Sequence, residues 1–276
     1  MPVLTLFAVA SFAATSPKMS TQAVPDFINA EGKKVHLAGE ASEHCLLRKY
    51  VPKTTTGVLE LGVRWATSTC ALSHHLLPRT GVIVSVEADV NAHQTAARNM
   101  ATNGCVTNLV KGVIGTRPMV KSQRNNGHKP GSTKDDRATT TFEQAPGDVA
   151  SAAQLVLAHA PADLARAFNL SKGFDTLVAD CEGCLDGVLR DFPEFVASLD
   201  TIIVEADYGK GWQPQGYVDY NALTTKLFSF GFVISEAFYH PCCAAWFAGT
   251  GSIPMYVFQK LSELPRLFPR KHTACY

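Results

Sequence analysis

The sequence predicts an α/β fold that is doubly wound, with a mostly parallel seven-stranded sheet and an antiparallel last strand. Two observations predict it. From residue 57 onward, short apolar segments rich in β-branched residues alternate with segments of helical spacing. The last two apolar segments follow each other with no clear helix between them, which calls for an antiparallel pair at one sheet edge.

Each element has its own signal. "GVLELG" (57–62) is a short strand stopped by Gly62, and "TSTCALSHHLL" (67–77) is a helix ended by Pro78. "GVIVSVEA" (81–88) is a buried strand. "VNAHQTAARNMATNG" (90–104) is a helix with Val90, Ala97, Met100 and Ala101 on one face, closed by Asn103-Gly104. "NLVKGVIG" (108–115) is a third strand. Residues 117–141 are polar, rich in Gly and basic residues and without periodicity, and read as a flexible, solvated insertion. Residues 148–170 have helical composition split by Pro161. "FDTLVAD" (174–180) is a strand, and Leu185, Val188, Leu189, Phe192, Phe195, Val196 and Leu199 continue at helical spacing. "DTIIVEAD" (200–207), a helix over 217–231, and the strands "FVISEAF" (232–238) and "IPMYVFQK" (253–260) complete the pattern.

Around this domain of residues 57–260 lie an N-terminal cap (21–56) with a helix near 40–48, and a tail (261–276). Residues 1–20 read as a targeting segment: Val3 to Ala14 is apolar and small, and Thr15, Ser16 and Pro17 break it. "ASFAAT" (10–15) also resembles the Ala-Phe cleavage motif of plastid precursors in algae with complex plastids. The expected location is therefore the secretory route or an organelle, and otherwise the cytoplasm. Formal net charge is +1, so nothing global points to a nucleic-acid partner. No apolar run reaches transmembrane length, and oligomeric state is left open.

In such sheets ligands bind beyond the carboxyl ends of the strands. Four of the five ends carry acids: Glu60, Glu87, Asp180 with Glu182, and Glu205 with Asp207. There is no G-x-G-x-x-G and no Walker lysine, so a pyrophosphate is not the expected ligand. A nucleoside with hydroxyls and a positive centre fits, with Glu87 placed to accept both ribose hydroxyls.

E-x-G at the first strand end, an acid ending the second, and D-x-E-G after the fourth resemble a class I methyltransferase using S-adenosylmethionine. "FDTLVADCEGCLDGVLRDF" with "LDTIIVEAD", and "VEADVNAHQTAARNMATNGCVTNLVKGVIG", resemble the FkbM family over roughly residues 55–260. The resemblance implies a Rossmann-like fold and an O-methyltransferase acting on a hydroxyl of a sugar or small natural product. It implies cofactor contacts near Glu60, Gly62, Glu87, Gly112 and Val113. Val63, Trp65, Ser68, Ala88 and Asp180 complete the expected cofactor set, although Trp65 serves equally well as a cap on the core. Asp180, Glu182 and His240 are the expected catalytic residues. Asp180 with Asp207 holding a divalent cation is the alternative to a metal-free site. Ala66 and Arg64 stand where the family usually has Gly and Asn. A catalytically inactive binding protein on the same fold is therefore the alternative function.

Eight cysteines are present. Asp180 and Glu182 are expected to share one face of the fourth strand, with Cys181 on the other. Cys181 and Cys184 read as small buried hydrophobes, ahead of a disulfide with or near Cys242-Cys243 and of a zinc site.

Overall fold

Strands buried on both faces decide the architecture. The computed structural model describes residues 27–35, 41–76, 81–123, 139–143, 155–206, 218–240 and 253–263. The chain opens with β1 (Phe27–Ile28), β2 (Lys34–Val35), α1 (Ala41–Tyr50), β3 (Gly57–Leu61), α2 (Thr67–Leu76), β4 (Val82–Glu87) and α3 (Val90–Asn103). It continues through β5 (Asn108–Lys111), β6 (Val113–Ile114), β7 (Met119–Gln123), β8 (Thr139–Glu143), β9 (Leu155–Val156), β10 (Ala158–His159) and α4 (Pro161–Ala167). It closes with β11 (Thr176–Ala179), α5 (Cys184–Asp191), α6 (Pro193–Ser198), β12 (Thr201–Glu205), α7 (Tyr220–Ser229), β13 (Phe232–His240) and β14 (Ile253–Lys260).

The central sheet has seven strands in the order β13-β14-β12-β11-β3-β4-β5. Strands β12, β11, β3, β4 and β5 run parallel, and β14 is antiparallel to both its neighbours. This is the doubly wound, mostly parallel sheet with a reversed last strand that the sequence predicts. Successive residues face opposite sides of the pleat. Leu59, Leu61, Val84, Val86, Leu177, Ala179, Ile202 and Val204 pack with α5 and α7 residues in one core. Val58, Ile83, Val178, Ile203, Met255 and Val257 pack with Leu46, Leu47, Tyr50, Leu72 and Leu76 in the other. Helix α1 is clamped there by Lys49 and Tyr50, which both donate to the buried carboxylate of Glu236 on β13.

Four local expectations change. The third strand breaks at Gly112: β5 stays in the main sheet, while β6 pairs with β10. An added Cβ on Gly112 would meet the His159 ring at 2.6 Å, so the break brings two backbones together where only glycine fits. The described ends of the 117–141 segment are not free of structure, because β7 pairs antiparallel with both β8 and β9. In the 148–170 stretch, Leu155–Val156 and Ala158–His159 are strands and only Pro161–Ala167 is helical. The long helix after β11 is two helices, since Pro193 starts α6 with its missing N–H at a position that needs none.

Strand order reverses at β3: the chain runs outward to β4 and β5, then returns to β11 on the other side. At that switch the ends of β3 and β11 touch. Gly62 has φ +84, and a Cβ there would sit 1.7 Å from the Asp180 carbonyl oxygen. Its own N–H donates to Val86 O at 3.0 Å, so Gly62 is held from both sides. Gly62→Ala is expected to destabilise the protein by about 3 kcal/mol or more, read by chemical denaturation, because strain and a backbone clash add. A loss below about 1 kcal/mol would show that this contact is not required.

Candidate functional site

The carboxyl ends of β11, β3 and β4 form a rim of acids. Glu87 ends β4 and is buried. Its Oε2 accepts from the Val63 N–H at 3.0 Å and the Arg64 N–H at 2.8 Å, and its Oε1 accepts from the Asp89 N–H at 2.8 Å. Glu87 therefore fixes the loop after β3. That loop needs help. Arg64 (φ 47) and Ala66 (φ 65) both adopt left-handed conformations, each costly for a residue with a Cβ. These are the two positions where Asn and Gly were expected, and Asn and Gly are the residues that take this conformation most easily. The loop shape is kept without them. The Ala66 methyl group is fully buried in a cluster with Phe27, Val63, Cys70, Ala96 and Met100.

Glu60 lies deeper, within β3. Its Oε2 accepts from Ser85 Oγ at 2.6 Å and Thr69 Oγ1 at 2.7 Å, while Oε1 has no hydrogen-bond partner among the described residues. Burial pushes its carboxyl up from the usual 4.5 to about 7; the Ser85 and Thr69 hydroxyls oppose the shift, and Asp180 and Glu87 add to it. No basic side chain pairs with Glu60, Glu87 or Asp180 among the described residues.

Asp180 follows β11, half-buried, and its N–H donates to Leu61 O at 3.0 Å. Glu182 does not share its face. The strand ends at Ala179, and the chain turns through Glu182 (φ 59) and Gly183 (φ 88), so the alternation of a strand no longer applies. The cysteines on either side are not unpaired hydrophobes: Cys181 and Cys184 are disulfide-bonded to each other, although both still pack against the apolar core. A second disulfide joins Cys70 of α2 to Cys105 beyond α3, and Cys45 is disulfide-bonded as well. Among the described residues no cluster is placed to hold a metal ion.

The remaining expected residues divide. Gly112 donates its N–H to Glu87 O at 2.9 Å, so it adjoins the rim, as does Ala88, the residue after Glu87. Val113 turns away, donating to Leu157 O at 2.9 Å at the start of β6. Val63 contributes its N–H to Glu87 while its side chain is buried. Trp65 is 40 % exposed, its ring 4.7 Å from the Arg64 guanidinium carbon. Ser68 is half-buried in the first turn of α2. His240 ends β13, and its side chain lies outside the described residues, as do Asp207, Cys242, Cys243 and residues 1–20.

Four supporting residues were not singled out in the sequence. Asp89 caps α3, accepting from the Asn91 and Ala92 N–H groups. Asn99 donates to Trp65 O at 3.0 Å and accepts from Ala30 N at 2.8 Å, tying the first loop and the N-terminal hairpin to α3. Ser85 and Thr69 hold Glu60. Only Asp89 carried a signal, an Asp directly before a helical pattern.

No protein-family model matches the chain, and no curated protein matches it. Solved structures similar to it include an O-methyltransferase from Bacillus cereus in complex with SAH (11% identity, 79% of each chain covered, TM-score 0.40). A SAM-dependent methyltransferase from Aquifex aeolicus has 10% identity over 81% of this chain and 90% of that one, with a TM-score of 0.43. The O-methyltransferase TomG from Streptomyces achromogenes, in complex with SAM, has 13% identity over 81% and 87%, with a TM-score of 0.38. Likenesses this distant say nothing about activity, which rests on the chain's own residues.

Glu60 gives a pH signature. The folded chain holds its proton more tightly than the unfolded chain, so its contribution to stability is full below pH 4.5 and is lost as pH rises through about 7. Comparing wild type with Glu60→Gln between pH 4.5 and 8 should expose a difference of about 3 kcal/mol, with wild type losing ground as pH rises. Parallel stability curves would show that Glu60 titrates normally.

Proposed function

We propose that this chain is an S-adenosylmethionine-dependent O-methyltransferase of FkbM type, acting on a hydroxyl of a sugar or small natural product. The observation that carries this reading is the acidic rim at the switch point. Glu60, Asp180 and Glu87 stand at or near the ends of three adjacent strands, with no cation paired to them among the described residues. Uncompensated carboxylates at a strand-end crevice suit a cationic ligand and repel a pyrophosphate.

The residues fit S-adenosylmethionine. Glu60 Oε1 is a buried acceptor without a donor, and a ligand ammonium or a water bridging to one would satisfy it. Glu87 keeps acceptor capacity beyond its three backbone donors, enough for a ribose hydroxyl. When bound, the cofactor supplies a methyl group activated by a sulfonium centre. The chain's part is to orient the two reactants, exclude water and accept a proton. Asp180, half-buried and without a hydrogen bond to its carboxylate among the described residues, is the group we assign to take the acceptor hydroxyl's proton. The buried position of the Ala66 methyl supports a competent first loop over a degraded one.

Calorimetry with S-adenosylmethionine, followed by methyl transfer to a panel of hydroxyl acceptors, tests the proposal. Wild type should bind. Glu87→Gln should weaken binding by about 1–3 kcal/mol, the worth of hydrogen bonds to a charged acceptor. Asp180→Asn should keep the fold and lower turnover by roughly a hundredfold. Folded wild-type protein that binds no S-adenosylmethionine would refute the proposal; binding without transfer to any acceptor would favour an inactive binding protein.

A further inference from the structure

We infer that the Cys181–Cys184 disulfide is a thiol–disulfide exchange site that controls the cofactor site, with a dithiol reductant as its partner. The inference rests on the proposed cofactor reading for its consequence, though not for its chemistry.

The disulfide spans the turn between Asp180 and α5. Glu182 and Gly183 are consecutive left-handed residues, and Glu182 bears the cost of a Cβ in that conformation. Gly183, the N-cap of α5, offers no side-chain cap. Among the described residues the backbone hydrogen bond across the turn, from Cys184 N–H to Cys181 O, is long at 3.3 Å. The covalent link therefore stands in for the missing cap.

The turn lies directly against the first loop. An added Cβ on Gly62 would meet Asp180 O at 1.7 Å and Cys181 Cα at 3.2 Å. A turn that loosens at residues 181–184 releases both Asp180 and the wall on which Gly62 rests. The redox state of the pair thus reaches the acidic rim through one backbone contact.

Position also separates this disulfide from the Cys70–Cys105 bond. It closes a sequence separation of 3 rather than 35, so it constrains the unfolded chain much less. Cys181 and Cys184 are both half-buried; of the other pair Cys105 is half-buried too, while Cys70 is 3 % exposed. At the turn either sulfur is partly open to an external thiolate, whereas at the other bond only Cys105 is. The exchange balances in two steps. A thiolate of the dithiol attacks one sulfur, breaking the Cys181–Cys184 bond and forming a mixed disulfide. The second thiolate of the dithiol then attacks its partner sulfur and closes the reductant's own disulfide. The protein pair gains two electrons and two protons, and the dithiol loses them.

The test titrates the folded full chain with dithiothreitol and traps free thiols by alkylation. Cys181 and Cys184 should be trapped together, at lower reductant than Cys70 and Cys105, with thermal melting still cooperative. Amide exchange at Glu182–Leu185 should rise at least tenfold at that point. S-adenosylmethionine affinity should fall at least tenfold and return on reoxidation. The double variant Cys181→Ser, Cys184→Ser should match the reduced protein and ignore the reductant. Reduction only upon unfolding, unchanged exchange in the turn, or cofactor affinity independent of redox state would overturn the inference. Oxidised protein that binds no cofactor, yet shows the trapping order and the exchange change, would refute the proposed function and leave the exchange site standing without its control of that cofactor.

Discussion

The contact between Gly62 and the Asp180 carbonyl is the constraint from which the site follows. Two parallel strands meet at the point where the chain's winding direction reverses, and their ends approach more closely than any side chain permits. This closeness sets Asp180 beside the first loop and leaves the loop to turn through Arg64 and Ala66 in left-handed conformations. The strain in that turn is balanced by Glu87, whose carboxylate draws down the Val63 and Arg64 N–H groups from the neighbouring strand. Loop and rim are therefore one unit. A change at the D-x-E-G turn is felt at the loop through backbone, and a change at Glu87 is felt there through hydrogen bonds.

Electrostatics follows from the same packing. Glu60 is buried beneath the rim with its charge supported by two hydroxyls and opposed by two nearby acids. A carboxyl in that condition sits near its titration midpoint at neutral pH, and a cation entering the rim would favour its ionised form. The apo protein thus carries a destabilised charge where a ligand is expected to deliver the opposite one, an arrangement common where structure yields stability to function.

The sheet was legible because its signal is repeated. The buried strands are short apolar runs, and the lack of a helical pattern in the sequence between the last two of them predicts the reversed edge strand. The acids at strand ends were legible for a different reason: burial makes an accidental carboxylate rare, so Glu60, Glu87 and Asp180 stood out. What failed was what depends on contacts between distant segments. The break at Gly112 exists because His159 lies against it, and nothing within "NLVKGVIG" shows that. Strands β7 and β8 are polar, and their pairing across a long insertion leaves no periodic trace. Placing Glu182 on the face of Asp180 extends the strand three residues past its end at Ala179. The Cys181–Cys184 pairing was missed because the spacing is shared by metal sites, redox pairs and plain hydrophobes, and only the turn between them decides.

The central claim is that S-adenosylmethionine binds at this rim, and amide hydrogen exchange with and without that compound tests it most directly. The account predicts slowed exchange at the amides of Gly62 to Arg64, Glu87 to Asp89 and Gly112, where backbone donors surround the carboxylates. It predicts no change on β13 and β14 at the end of the sheet where Lys260 lies. Protection absent from the β3 and β4 ends, or confined to another part of the molecule, would contradict it.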